Sequence, residues 1–371
     1  MIIAGEASGD LHGAQLVKAM VRLDPELEFF GVGGHALRRA GVDVRIDNAQ
    51  MAVVGVSEAF SKLNLLLRAL RRVKEDLKEI RPALLILIDF PDFNLRVAAA
   101  AKKIGVPVMY YISPQVWAWR TRRVKKIKKL VDHMVVIFPF EVGFYRKWNV
   151  PVTFVGHPLL DSVLPKDPEQ KCEGLEGQGM LIGLLPGSRN EEVARLLPTM
   201  AEVAEMLSEK IDGVRFAVPV ASSVNRHTVE SIVHGRRAKF LVVSDRVQDV
   251  LDEATLVITA SGTVTLEVAM AGTPMIVVYK VSPLSYWLGK RLIRVKHIGL
   301  ANLVAERPIV PELIQHEASA ERIVDEALRM IRDEKRLRQM RQELLQTAKT
   351  LGDPGASKRA AKVALSLLSD N

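Results

Sequence analysis

A single cysteine, Cys172, stands among 371 residues, which excludes an intramolecular disulfide and fits a reducing compartment. Aromatic residues make up only 5%, and no stacking motif that reads single-stranded RNA is present, so nucleic acid is not an expected partner. The 8 histidines are scattered without paired spacing, and no metal site is expected. No apolar run reaches the roughly 18 residues that a membrane-spanning helix needs. The N-terminus lacks the basic-then-apolar pattern of a secretory signal, so a cytoplasmic location is expected. "GVGG" at 31–34 lacks the spacing and acidic partner of a dinucleotide fingerprint.

What is present is an ordinary globular composition, 48% hydrophobic and 26% charged, in a chain long enough for two domains. Lysine and arginine exceed the acidic residues by 9. That excess points to an anionic partner, whether nucleic acid, nucleotide-linked substrate or lipid surface.

Short apolar runs alternate with helical patterns. "ALLILIDF" (83–90), "VPVMYYI" (106–112), "HMVVIF" (133–138) and "VTFVG" (152–156) are each flanked by polar, helix-like segments. Continuous β-rich runs of this length read as strands buried on both faces, hence a parallel sheet covered by helices. The pattern lapses over 157–179, which is rich in proline and glycine and reads as a domain linker. A second series follows at 180–188, 214–220, 239–244, 254–261 and 274–280. The expected domains are 1–163 and 164–353, with a helix at 354–371 returning to the first.

Two loops in the second half have the form of phosphate cradles. In "LLPGSRNEEVARLLP" (184–198) a buried strand ends at Pro186, Gly187 and Ser188 turn, and a helix begins near Asn190. Amides at such a helix start favour an anion, and Arg189 adds a charge-assisted bond to a diphosphate. "TASGTVTLEVAMAGTPMIV" (259–277) repeats the logic at Ser261, Gly262 and Thr263. Glu267, one turn on, either accepts from ribose hydroxyls or complements the helix dipole. In the first half, "AGEASGDLHGA" (4–14) looks like a third such loop, yet Glu6 and Asp10 would repel phosphate.

These motifs, with "IDFPDFNL" (88–95), "YISPQVWAWR" (111–120), "FPFE" (138–141) and "VGHPLLD" (155–161), run in order over nearly the whole chain. Together they resemble the lipid-A-disaccharide synthase family. The resemblance implies an α/β fold of GT-B type, two Rossmann-like parallel-sheet domains facing an interdomain cleft, with UDP in the C-terminal one. It further implies an inverting, metal-independent transfer in lipid A and lipopolysaccharide biosynthesis, with no cofactor. UDP-2,3-diacylglucosamine would donate its sugar to the 6-hydroxyl of 2,3-diacylglucosamine 1-phosphate, giving a β-1,6 disaccharide and UDP.

Such chemistry needs a base and a cradle for departing UDP. Asp89 ends a very apolar strand, where open α/β sheets present functional groups, and Asp92 beyond Pro91 is its rival. By the family pattern Asp89 is the base, with Glu6 as a second acid/base or acceptor binder. Gly187, Ser188, Arg189, Ser261, Gly262, Thr263, Glu267 and Asn302 are assigned to the UDP-sugar. Asn302 has Glu306 and Arg307 as neighbours in its loop. Ser8, Asp10, Ser113, Gln115 and Trp117 are assigned to the acceptor side, where Asp10 equally suits a helix N-cap.

Acylated substrates bring the enzyme to an anionic inner-membrane surface. Phe60, Leu63, Leu66, Leu67 and Leu70 form an apolar stripe within 58–80, flanked by cations. A stripe of this kind lies either in a headgroup layer or on a protein core. "RTRRVKKIKK" (120–129) and "KRLIRVK" (290–296) add basic surface. A UDP-sugar epimerase or peptidoglycan-precursor transferase fits the first-half motifs less well, and a basic nucleic-acid binder lacks a recognised reader motif.

Overall fold

The computed structural model describes residues 1–50, 59–162, 175, 177, 179–281 and 297–369, the side chains of 50, 59–63 and 162 excepted. Contacts divide the chain into two units, Met1–Leu164 with Leu351–Asn371, and Pro165–Thr350. Much of the expected linker, Cys172 included, and all of 290–296 lie outside the described residues.

The first unit holds seven strands: β1 (Ile2–Ala4), β2 (Phe30–Gly33), β3 (Asp43–Asp47), β4 (Leu85–Ile88), β5 (Val108–Tyr111), β6 (His133–Val136) and β7 (Val152–Phe154). Their order is β3-β2-β1-β4-β5-β6-β7, and every pairing is parallel. Runs such as Leu85–Ile88 and Val108–Tyr111 are buried along their whole length, because helices cover both faces of a parallel sheet. Chain order reverses between β1 and β4, whose register pairs Ile2 with Ile86 and Ala4 with Ile88. Their C-terminal ends are therefore level, and the loops leaving them start side by side.

The second unit repeats the plan with β8 (Leu181–Leu185), β9 (Arg215–Val220), β10 (Phe240–Ser244), β11 (Leu256–Ala260), β12 (Met275–Tyr279) and β13 (Glu312–Ile314). The order is β10-β9-β8-β11-β12-β13. Here β8 and β11 flank the reversal, with Leu185 opposite Thr259. Leu197, Leu207, Phe216, Leu256 and Ile276 lie in one continuous core.

The last helix, Ala356–Ser369, belongs to the first unit and packs on the helix Ala7–Leu23. Ala356, Ala360 and Ala364 repeat every fourth residue on one face and are fully buried, which lets the two backbones come close. Asp161 holds its start: one carboxylate oxygen accepts from the amides of Gly355 (2.5 Å) and Ala356 (3.2 Å). The other accepts from the amide and hydroxyl of Ser357, both at 3.1 Å. A residue 194 positions away thus does the work of an N-cap.

The expected apolar stripe splits along the helix Ala59–Ile80. Leu70 belongs to the core with Val73 and Leu77, and Leu66 packs against it, so Leu70 is not a membrane contact. Leu65 and Leu67 remain 38% and 46% exposed. Phe60 and Leu63 have side chains outside the described residues. Among the described residues no helix is long and apolar enough to cross a membrane.

Replacing Asp161 with Ala strips four hydrogen bonds from a helix start and should cost about 1–2 kcal/mol. The measurable outcomes are a melting temperature lower by several degrees and faster amide exchange through 356–369. Unchanged protection there would mean that alanine packing alone holds the helix.

Candidate active site

At the β1–β4 reversal of the first unit, two carboxylates come together. Asp89 follows β4 directly and Glu6 follows β1 by two positions. Asp89 and Phe90 both adopt left-handed backbone, φ 43° and 47°, which non-glycine residues rarely accept. Pro91 then opens the helix Pro91–Lys103. Side chains hold this strained corner in place. The Tyr110 hydroxyl and Asn94 Nδ2 both donate to the Asp89 carbonyl, and Asn94 Nδ2 also reaches the Ile88 carbonyl. The Phe90 ring lies against Gly5, where a Cβ would come within 2.4 Å of it. Glycine at 5 is therefore a requirement of close approach, not of phosphate binding.

The Asp89 carboxyl is pushed up to about 6, first by burial and then by the Glu6 charge, with the Phe90 amide opposing. That places a half-buried carboxyl close to neutral pH, where a group is best poised to exchange a proton. Glu6 is exposed. Its backbone carbonyl accepts from Asn48 Nδ2 at 3.4 Å, as does that of Ala4 at 3.3 Å. Asn48 is buried and pins the β1 loop from a distant segment, a role that no local motif signals.

Asp10 is not an acceptor ligand. It is buried and accepts from the amides of Gly34 (2.6 Å), Ala36 (2.8 Å) and Leu37 (3.2 Å). It caps the helix His35–Arg39, not its own helix. Asp92, the rival base, is bound to Arg123 and Arg120. Ser8 and Gln115 are exposed.

Ser113 is turned inward: it is buried, bonds the Tyr145 hydroxyl at 2.6 Å and donates to the Pro114 carbonyl. Its hydroxyl is spoken for, so Ser113 is corrected from acceptor ligand to part of the loop's frame. Trp117 donates through Nε1 to Glu141 at 3.0 Å and packs edge-on against Phe140. Glu141 is the residue that sequence reading passed over. It is 1% exposed, also accepts from the Phe138 amide, and burial pushes its carboxyl to about 7. The motif "FPFE" carries part of the family resemblance, but neither the burial of its glutamate nor its partners can be read from it.

In the second unit, a cleft of about 350 Å³ lies at the β8–β11 reversal, lined by Gly187, Ser188, Arg189, Ser261, Thr263 and Glu267, with Gly262 beside them. Seven of the eight residues assigned to the UDP-sugar meet there. Gly187 takes φ 124°, a conformation open to glycine. Ser261 Oγ donates to the Ile298 carbonyl, which ties the second cradle loop to the next segment. Glu267 is half-buried, and burial raises its carboxyl. Glu192, in the first turn of the helix Asn190–Ser208, accepts from the Ser188 amide (3.1 Å) and from Arg189 (3.3 Å). It occupies the donors that suit a phosphate.

Asn302 is the exception. Fully enclosed at 1% exposure, it donates to the Val310 carbonyl and Glu312, and accepts from the amides of Ile309 and Val310. Its whole hydrogen-bonding capacity is used within the loop. Glu312 in turn accepts from the amides of Ile298 and Gly299. Asn302 therefore shapes the segment that bonds Ser261, and is not itself a ligand of the cleft.

Two consecutive Rossmann-like units, each with polar loops at its strand-order reversal, define the GT-B class of nucleotide-sugar enzymes. The fold is shared with a UDP co-structure of S. aureus MnaA, TM-score 0.67 and 13% identity over 100% of this chain and 97% of that one. It is shared also with MurG of Acinetobacter baumannii, TM-score 0.62 and 13% identity over 99% and 98%. Such likeness shows the fold alone. Sequence is more specific: the family model for lipid-A-disaccharide synthetase (LpxB) matches residues 1–367. The lipid-A-disaccharide synthase of Geobacter metallireducens is 49% identical over 99% of this chain and 97% of its own length. That of Coxiella burnetii is 41% identical over 89% and 88%. The chain belongs to the lipid-A-disaccharide synthetase family, glycosyltransferases of lipid A disaccharide synthesis.

A carboxyl raised in the fold favours its protonated form more than the unfolded chain does. Folding stability therefore falls as pH climbs from the ordinary carboxylate range to about 6, and the loss persists above it. Asp89→Asn carries no such loss. At pH 8 its folding stability should exceed the parent's by about 3 kcal/mol, read as a higher melting temperature, with the gap closing towards pH 4. A parent more stable than the variant at pH 8 would mean that the ionised carboxylate is well bonded.

Proposed function

We propose that this glycosyltransferase joins UDP-2,3-diacylglucosamine to 2,3-diacylglucosamine 1-phosphate with inversion. Asp89 takes the proton of the acceptor 6-hydroxyl as its oxygen attacks C1 of the donor sugar. The C1–O bond to UDP breaks on the opposite face, giving the β-1,6 disaccharide 1-phosphate and UDP. The observation that carries this reading is Asp89 itself: a half-buried carboxyl held by a strained turn, raised to about 6 with Glu6 beside it. Glu6 keeps the base weakly acidic and accepts from acceptor hydroxyls.

The second unit stabilises the leaving group. Backbone amides at the Gly187–Ser188 and Ser261–Thr263 turns, with the Arg189 guanidinium, supply positive charge to the diphosphate without calling on a metal ion. Glu192 must release Ser188 and Arg189 for this to happen. Glu267, at the side of the same cleft, accepts from the ribose hydroxyls.

The substrates place the enzyme at the inner face of the cytoplasmic membrane. Leu65 and Leu67 project from a helix that also exposes Arg68, Arg71 and Arg72. Arg122, Lys125, Lys126, Lys128 and Lys129 are exposed in the same unit. Each such cation near an anionic bilayer contributes about 1 kcal/mol.

In detergent micelles, UDP release should require both lipids and persist in EDTA, yielding one disaccharide. Asp89→Ala should lose most turnover while keeping UDP affinity. Arg189→Ala should weaken UDP about tenfold or more, and Glu192→Gln should tighten it; equal affinity in both variants would remove the diphosphate assignment. UDP binding without transfer to this acceptor would send the reaction to another sugar acceptor. Separately, Leu65→Ser with Leu67→Ser should reduce sedimentation with anionic liposomes and leave the melting temperature in place. Full liposome binding by that variant would move the membrane contact elsewhere.

A further inference from the structure

Arg120 and Arg123 stand apart from the basic residues around them. Both are turned onto a single carboxylate, that of Asp92. Arg123 Nη2 donates to Asp92 Oδ1, and Arg120 Nη1 lies 3.7 Å from Oδ2. Asp92 itself is 70% exposed, whereas the Arg123 side chain is only 20% exposed. Arg123 is placed, Arg120 stands half-exposed beside it, and the carboxylate is open to solvent, which is the arrangement of an anion site with a replaceable occupant. Arg120 is fixed further: its backbone is left-handed at φ 57°, and its guanidinium lies 4.5 Å above the Trp119 ring.

Location ties this pair to the reaction. Asp92 sits in the first turn of the helix that Pro91 opens, three residues beyond Asp89, so their Cα atoms are at most about 10 Å apart. That is the scale of one sugar residue. Arg123 also acts electrostatically on Tyr110, the residue whose hydroxyl holds the Asp89 carbonyl. The charge balance then decides between occupants. One carboxylate leaves one of the two guanidinium charges uncompensated. A phosphomonoester carries roughly −1.5 to −2 at neutral pH and matches both, and it offers the oxygen geometry that guanidinium groups bind bidentately.

We propose that Arg120 and Arg123 bind the phosphomonoester of the acceptor lipid, and that Asp92 occupies their place until the phosphate displaces it. The inference rests on the phosphorylated acceptor proposed above. With the phosphate at one end of the sugar held there, the 6-hydroxyl at the other end is offered to Asp89. Asp92 makes the site selective, because an acceptor lacking the phosphate leaves the arginines on their internal partner and gains nothing from them.

The test compares 2,3-diacylglucosamine 1-phosphate with the same lipid lacking the phosphate, in neutral detergent micelles. The parent should prefer the phosphorylated acceptor in kcat/KM, and Arg120→Ala with Arg123→Ala should reduce that preference at least about tenfold. Arg123→Lys, which keeps the charge but not the fork, should fall in between. Asp92→Asn should move the other way, lowering KM for the phosphorylated acceptor, an effect that misfolding cannot produce. Transfer with an unaltered phosphate preference in the double variant would overturn the proposal and leave the reaction standing. So would a defect confined to assays on anionic vesicles, which would assign the arginines to the bilayer. If the parent transfers to neither lipid, the reaction itself is wrong, and calorimetric titration with the phosphorylated lipid still decides the clamp. Binding lost in the double variant supports it, and equal binding by parent and variant overturns it.

Discussion

Everything functional in this chain depends on the point in each sheet where strand order turns back. Parallel strands must be joined by crossovers. Where successive crossovers go to opposite faces, two neighbouring strands send their C-terminal loops apart and leave a crevice. In the first unit that point falls between β1 and β4, and it brings Glu6 beside Asp89. In the second it falls between β8 and β11, and it brings the Gly187–Arg189 turn beside Ser261–Thr263. The level register of each strand pair is what makes the loops start together. No side chain could substitute for that; the backbone ladder decides which loops are neighbours.

On this frame the two units use opposite electrostatics. The first concentrates carboxyl groups where burial disfavours their charge: Asp89 is raised to about 6 and Glu141 to about 7. Stability is given up at Asp89, whose carboxyl is left close to neutral pH. The surrounding structure compensates with unusual care, through Tyr110, Asn94, Asn48 and the close contact of Phe90 with Gly5. Strain at Asp89 and Phe90 persists because these contacts over-determine the turn. The second unit instead points amides and Arg189 outward, which suits an anion that arrives and leaves.

The sequence shows clearly what depends on runs and turns. Long buried strands such as β4, β5 and β11 announce themselves as apolar stretches, and the two cradle loops as glycine–hydroxyl turns before helices. β2, β3 and β13 carry no such run. β3 and β13 are edge strands with partly exposed residues, and a strand that is not buried on both faces has no need of one. The site residues divide on a similar line. Asp89 and the cleft residues are positioned by their own strand ends, so local pattern finds them. Asp10, Ser113 and Asn302 look like ligands locally but are consumed by partners 24 to 27, 32 and 7 to 10 positions away. Polar residues at loop starts serve ligands and tertiary structure alike, and only the partner list separates the two. The stripe on the helix Ala59–Ile80 splits for the same reason, with Leu70 in the core and Leu67 exposed: periodicity identifies an apolar face, not what covers it.

One device recurs in both units, and it connects the packing to the chemistry. Glu192 sits on the Ser188 amide and Arg189, and Asp92 sits on Arg120 and Arg123. Guanidinium groups left unpaired at a binding place gather stray anions, and two of them side by side repel one another. An internal carboxylate resolves both problems. It also changes what affinity measures, because a substrate phosphate gains only the difference between itself and the carboxylate it displaces. A dianion wins that exchange over a monoanion, while a neutral sugar cannot enter it at all. Selectivity for phosphorylated substrates follows from charge alone, before any contact to sugar or acyl chain is counted. In a chain with a net charge of +9, such internal competition keeps Arg189 in one unit and Arg120 with Arg123 in the other from pairing with any passing anion.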